Sequence, residues 1–371
     1  MTTLSDVLRS ALDAGDGVVR IHADLEPAAG RKILPPTYAS TVVHNMTAAR
    51  SDGSSEWCSV DSPASFANRV EAALQARHPE LAPLRVAIGN RTLSTLQMPH
   101  RAFDATLRES SLDGVSWEKT DIASKLREAT SAEAHALLFY DPGLIVFGGW
   151  DSTRLGKRGA AAREAKYPAA LSCEITASDV LPLNRAGGRV DPLGIEGTEA
   201  SLVEHEDGNL ERYDSVRHGD LPVRPEKDTD VYPRRVKPSQ VNLGNIAPSL
   251  KPKGVLVRGA IALDGMLDLR RLGLYRFSPA DDIEARLLLA LMGLYGVDTV
   301  LRKGLALRRD CELIATRATF EVVRFGGASQ ALCLDDVGAA LAAQIAALSG
   351  HISQSVTLTA NATLSSLVGD L

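Results

Sequence analysis

Asp151 is the side chain best placed to do acid–base or metal chemistry, because it follows the apolar run Leu144–Phe147 and sits beside Trp150. A carboxylate at a strand end can hold a cation or take a proton. No His or second acid stands close to it, and Ser152 and Thr153 follow as turn formers. Hydrogen bonding into the next loop is therefore its expected role. Gly156-Lys157 has the look of a phosphate-binding loop's end but fails it, with Asp151 where Gly is required and Arg158 where a hydroxyl must hold magnesium. Gly15-x-Gly17 precedes a strand instead of following one, which excludes a dinucleotide fingerprint. The eight histidines show no zinc-ligand spacing. Asp281-Asp282 and Asp335-Asp336 each precede a helical pattern, where negative charge meets the helix dipole. We expect no catalytic residue, no metal site and no cofactor.

Positive charge is the second chemical signal. The 371 residues carry a formal net charge of -5, and aromatic residues are only 5%. Both argue against a basic, base-stacking nucleic-acid binder. Yet Val231–Leu263 contains no acid and six cations: Arg234, Arg235, Lys237, Lys251, Lys253 and Arg258. That stretch is +6, which leaves -11 for the remainder. It also holds Asn242, Gly244 and Asn245, turn residues that leave amide N–H groups accessible to phosphate. A second basic group contains Arg154, Lys157, Arg158, Arg163 and Lys166, and a third Arg302, Lys303, Arg308 and Arg309. Leu81–Phe103 also lacks acids, with Arg85, Arg91, His100 and Arg101. Solvated loops would give the same composition.

The elements that must position these residues read as mixed helix and strand. Residues 4–13 repeat apolar positions at helical spacing, and Val18 to Leu25 read as a strand. Ser62-Pro63 opens a helix whose stripe is Phe66, Val70, Ala73 and Leu74. Leu84–Ile88, Leu144–Phe147, Leu171–Thr176, Gly254–Leu263 and Cys311–Phe325 read as strands. Thr130 with Glu133 reads as a capping box for a helix ending near Tyr140. Ala280–Val300 reads as a buried helix and Asp335–Leu348 as a small-residue helix, with a weakly alternating tail from Ile352. Irregular stretches at 26–60 and 184–250 read as insertions into a single core spanning 1–371; residues 184–239 are one large insertion or a set of small hairpins. This order favours α+β. Four separated cysteines (Cys58, Cys173, Cys311, Cys333), no apolar run of membrane-spanning length and no signal pattern predict reduced thiols in a cytoplasmic protein.

Five strings sharpen this reading. Ser62-Pro63-Ala64-Ser65-Phe66-Ala67-Asn68-Arg69-Val70-Glu71, Phe147-Gly148-Gly149-Trp150-Asp151-Ser152-Thr153-Arg154 and Tyr167-Pro168-Ala169-Ala170-Leu171-Ser172-Cys173-Glu174-Ile175 occur in order. Arg189-Val190-Asp191-Pro192-Leu193-Gly194-Ile195 and Asn242-Leu243-Gly244-Asn245-Ile246-Ala247-Pro248-Ser249 follow. Together, from about Arg20 to Cys311, the chain resembles the Cas-seven-type backbone subunit of the type I-G (formerly I-U) CRISPR effector complex, a RAMP-superfamily protein.

The resemblance implies a modified RRM or ferredoxin-like palm with finger and thumb insertions. It also implies a non-catalytic role in antiviral defence: copies stack head to tail along a CRISPR RNA in a Cascade-like filament and present the guide to target DNA. Such assembly is heterologous and open-ended. The other implied partners are a large subunit and the subunit that caps or processes the guide end. A backbone subunit holds phosphate and sugar and leaves base edges free, which suits the low aromatic content. The implied RNA-binding residues are Arg31, Lys32, Asn68, Arg69, Trp150, Ser152, Thr153, Arg154, Lys157, Arg158, Arg234, Arg235, Lys237, Asn245 and Lys251. Asn68 and Arg69 face RNA or a neighbouring subunit; Trp150 packs in the core or wedges near a nucleotide. The alternative within the same superfamily is a metal-dependent target-RNA endonuclease, with Asp151 as its leading acid.

Overall fold

The computed structural model describes residues 3–15, 17–38, 43–151, 166–189, 202–223, 231–241, 243 and 246–368. Six elements form the central architecture: β1 (Val18–Pro27), α1 (Pro63–Arg77), β2 (Leu171–Arg189), β3 (Ile261–Leu267), α2 (Asp282–Lys303) and β4 (Cys311–Val323). Their sheet order is β4-β1-β3-β2, every neighbouring pair antiparallel. This is the βαββαβ arrangement of ferredoxin-like domains, so the α+β class and the core expected from sequence hold. Leu305–Arg308 pairs with β4, Ser55–Asp61 with β2, and Lys32–Ile33 with Val255 and Leu256.

The period of β1 explains which face is covered. Val19, Ile21, Ala23 and Leu25 are buried, alternating with Arg20, His22, Asp24 and Glu26. The buried set joins the core with α1 and α2. Along α2, Leu287 through Leu294 are all buried, so the helix is apolar on nearly every side and could settle nowhere but inside. Asp281 caps it, accepting from the amides of Ile283 and Glu284 at 2.9 and 3.0 Å. Ser62 caps α1 by accepting from the Ser65 amide at 3.3 Å, with Pro63 in the first turn.

The chain divides into two compact units, residues 1–181 with 255–371, and residues 182–254. Within the first, a second sheet runs in the order Arg91–Ser94, Leu84–Ile88, Val356–Ala360, Ser110–Leu112, Val115–Ser116. The alternating tail thus supplies a central strand. The second unit carries the outer part of β2, most of the strand Ile246–Val257, and a small sheet of Leu210–Arg212, Leu202–Glu204 and Arg234–Val236.

Three local expectations are corrected. Leu144–Phe147 is part of a helix, Gly143–Phe147, not a strand. All five of its residues are buried, so no alternation existed to separate the two periods. Thr130 and Glu133 do not cap a helix; their backbones bond each other, and the helix His135–Tyr140 starts later at Ala134. Gly254–Leu263 is two strands, because Arg258–Ala260 turns back onto Ser178 and Asp179.

Candidate nucleic-acid interface

The open face of the central sheet is the first surface to test, since ordinary RRMs read RNA there. It presents Arg20, His22 and Asp24 from β1, Glu174 from β2, Asp264 and Met266 from β3, and Thr319 and Glu321 from β4. None of these is Phe, Tyr or Trp, so the four central strands offer no stacking platform among the described residues; Trp57, opposite Ser178, lies on the flanking strand. His22 lies 2.7 Å from Asp264 through Nδ1 and 3.3 Å from Asp24 through Nε2. The hydrogen bond to Asp264 raises its pKa, with Asp24 adding to the effect. Four carboxylates on this face repel phosphate, and the one imidazole is already occupied by two of them.

Arg20 and Arg317 are the exposed cations of this face, outnumbered by its four acids, and further exposed cations lie elsewhere. Arg31 and Lys32 are both exposed. Their backbone is fixed: the Arg31 carbonyl accepts from Val257 N–H at 3.0 Å, and Lys32 pairs with Leu256. A polar cleft of about 420 Å³ opens beside Arg31, lined also by Asp24, Glu26, Gly259, Ala260 and Thr316. Asn68 is exposed on α1. Arg69, one residue on, is committed to structure: its Nε donates to the fully buried Asp61 at 2.9 Å and its Nη2 to the Leu307 carbonyl at 3.2 Å. Arg308 reaches the same carboxylate at 3.4 Å and the Val60 carbonyl at 3.0 Å.

The acid-free stretch loses much of its charge once folded. Arg234 is only 4% exposed; its Nε donates to Glu204 at 2.8 Å and its guanidinium lies 4.2 Å from the Tyr232 ring centroid. Arg235 lies 4.0 Å from the Tyr213 ring centroid. Arg258 binds Asp52 and Asp179 at 3.0 and 2.8 Å. Lys237 and Lys253 are exposed. Counting cations along the chain misses these partners because every paired acid lies outside the counted window. Ser152, Thr153, Arg154, Lys157, Arg158 and Asn245 lie outside the described residues, as does the side chain of Lys251.

Trp150 is 41% exposed. It pairs with Lys166 in a two-residue ribbon and lines an open apolar cleft with Gly149, Tyr167 and Pro168. Two glycines permit that turn. Gly148 has φ +81°, and a Cβ there would sit 2.8 Å from the Tyr167 carbonyl oxygen; at Gly149 it would collide with Leu144 Cδ1. Asp151 is buried and borders a cavity of about 20 Å³ with Phe103, Trp117 and Arg127. Such a space holds about one water, not a phosphodiester. Among the described residues no three His, Cys, Asp or Glu side chains converge to hold a metal ion.

Sequence reading also missed a buried cluster of Glu71, Arg101 and Asp141. Its only signal was that Arg101 stands in the acid-free stretch Leu81–Phe103.

No described helix is long and apolar enough to cross a membrane. A comparison with curated proteins returns no match. Residues 19–182 match the family model described as CRISPR-associated protein GSU0053 (Cas_GSU0053). That interval contains β1, α1 and the Gly148–Trp150 turn, and over it the chain is similar to this CRISPR-associated family.

Proposed function

We propose that the chain is a non-catalytic backbone subunit that binds CRISPR RNA and oligomerises along it in a type I-G effector, acting in the cytoplasm. The observation that carries this reading is the family match over residues 19–182, which takes in β1, α1 and most of β2 of the ferredoxin-like core. The surface chemistry supports it. The open face of the four central strands carries more acids than cations and no Phe, Tyr or Trp, so contacts fall to exposed cations such as Arg31, Lys32 and Lys237. Contacts of that kind hold the sugar–phosphate backbone of any guide and leave base edges for the target strand. The other partners are further copies of the chain, the large subunit and the guide-end subunit.

The test is co-expression with a CRISPR array, extraction of bound RNA and measurement of particle length. RNA of spacer-plus-repeat size in elongated particles is expected. Changing Arg31, Lys32 and Lys237 together to Glu should cut RNA retention at least tenfold. Purified particles free of RNA would sink the reading. A magnesium-supplemented assay on bound target RNA addresses the endonuclease alternative: cleavage that disappears in Asp151→Ala would replace the non-catalytic role.

A further inference from the structure

Beneath the Gly148–Trp150 turn lies a charge cluster closed off from solvent. Arg101 and Glu71 side chains are 9% and 3% exposed, and Asp141 is fully buried. Arg101 Nε donates to Glu71 Oε1 at 2.7 Å, and Nη1 donates to the Gly148 carbonyl at 2.6 Å. The guanidinium carbon lies 5.5 Å from the Phe147 ring centroid. Asp141 accepts from the Ala102 amide at 2.8 Å, fixing the backbone next to Arg101. Arg101 itself has φ +51°, a left-handed conformation that costs a non-glycine residue on the order of 1 kcal/mol. The backbone is held there by bonds on both sides.

A buried ion pair is a poor way to gain stability, since apolar residues of the same volume usually do as well. What such a pair supplies is a fixed geometry, and here one arm of the fork ends on a single backbone carbonyl. That carbonyl precedes the two glycines' close approach and the exposed Trp150. The far wall of the cleft is fixed as well: Tyr167 donates its hydroxyl to the Ala129 carbonyl at 3.0 Å, and its ring stacks on Phe103 with centroids 5.7 Å apart.

We infer that Arg101 is a positioning residue: by clamping the Gly148 carbonyl from below it sets the orientation in which Trp150 meets a nucleotide. The inference rests on the RNA-binding reading for its consequence, but not for the clamp itself. Lysine keeps the charge at this position and cannot make both bonds of the planar fork.

The test uses the full chain labelled with 5-fluorotryptophan and co-expressed with a CRISPR array. The three tryptophans give three ¹⁹F resonances, and Trp150→Phe assigns the one that matters. Arg101→Lys should keep a cooperative melt, move the Trp150 resonance alone, and weaken RNA retention at least tenfold. A folded Arg101→Lys with an unmoved Trp150 resonance, or with wild-type RNA retention, overturns the inference. Should that variant fail to fold, Glu71→Gln decides, because it preserves shape and removes the charge that holds the guanidinium. A shifted Trp150 resonance in Glu71→Gln is then expected, and an unshifted one overturns the clamp. Absence of RNA from the wild-type particle would sink the RNA-binding reading, while the Trp150 resonance would still report on the clamp.

Discussion

Two buried arginine–carboxylate clusters meet the same helix, α1, with opposite stoichiometry. Around Asp61 there are two cations for one acid, Arg69 from α1 and Arg308 from the strand Leu305–Arg308. Around Arg101 there are two acids, Glu71 from α1 and Asp141. The surplus charge decides what each cluster can do. Arg69 and Arg308 are each about a quarter exposed, so their surplus is shared with water and with the carbonyls of Leu307 and Val60. The acid surplus is sealed in, and burial pushes Glu71 up to about 7 and Asp141 up to about 6, with Arg101 offsetting part of that rise. One cluster is a brace between a strand and a helix. The other titrates near neutrality under a surface turn.

Asp61→Ala breaks this comparison hardest. It leaves two partly buried guanidiniums without their acid, and a loss of about 3–5 kcal/mol is expected, read by urea unfolding. A loss below 1 kcal/mol would mean that water already satisfies those arginines. Arg234→Met comes next, in the second unit: Glu204 loses a charged donor, at a cost of about 2 kcal/mol. Unfolding that shows no loss would place that pair in the weak class of surface bridges.

The pH response sharpens the difference in stoichiometry. Both acids are raised above their ordinary values of 4.5 and 3.8, so between about pH 4 and 7 the folded chain holds protons that the unfolded chain has released. The cluster's contribution is therefore fullest at low pH and declines as pH rises to about 7. Glu71→Gln should flatten that part of the stability change between pH 5 and 8, checked by urea melts of both proteins at both values. Parallel slopes would assign the titration to another group. The smallest effect belongs to Lys237→Glu, an exposed site, where stability should stay within ~0.5 kcal/mol while RNA retention falls.

Much of the core was legible in the sequence because its signals are local. Ser62-Pro63 and Asp281 start their helices as read, and the apolar density of 287–294 marked the buried helix. β1 and β4 were legible from β-branched residues, whereas the Gly254–Leu263 reading ran β3 together with the strand before it. Charge was not legible in the same way. Arg69, Arg234 and Arg258 read as candidate phosphate contacts or as part of a basic stretch. Each finds its acid in another element, across a separation that composition cannot see. Arg234 and Arg235 to Glu would have looked like a benign surface test; the buried Arg234–Glu204 pair makes it a folding test. The clamp at Arg101 escaped as well, because its two acids, Glu71 and Asp141, lie far from it along the chain on either side and only the fold gathers them.

Val356–Ala360 is hydrogen-bonded on both sides, parallel to Leu84–Ile88 and antiparallel to Ser110 and Ser111. Its neighbours leave the ribosome long before it does. At ~5–20 residues per second the wait is roughly 13–50 s. Through that interval the hairpin Leu84–Ile88/Arg91–Ser94 has an open edge, and a lone two-stranded hairpin is marginal in water. Strand pairing over so long a loop is also slow to close. A chain built this way completes that sheet only after most of it has been synthesised, so until Val356–Ala360 arrives the hairpin keeps an unpaired edge that a chaperone could cover.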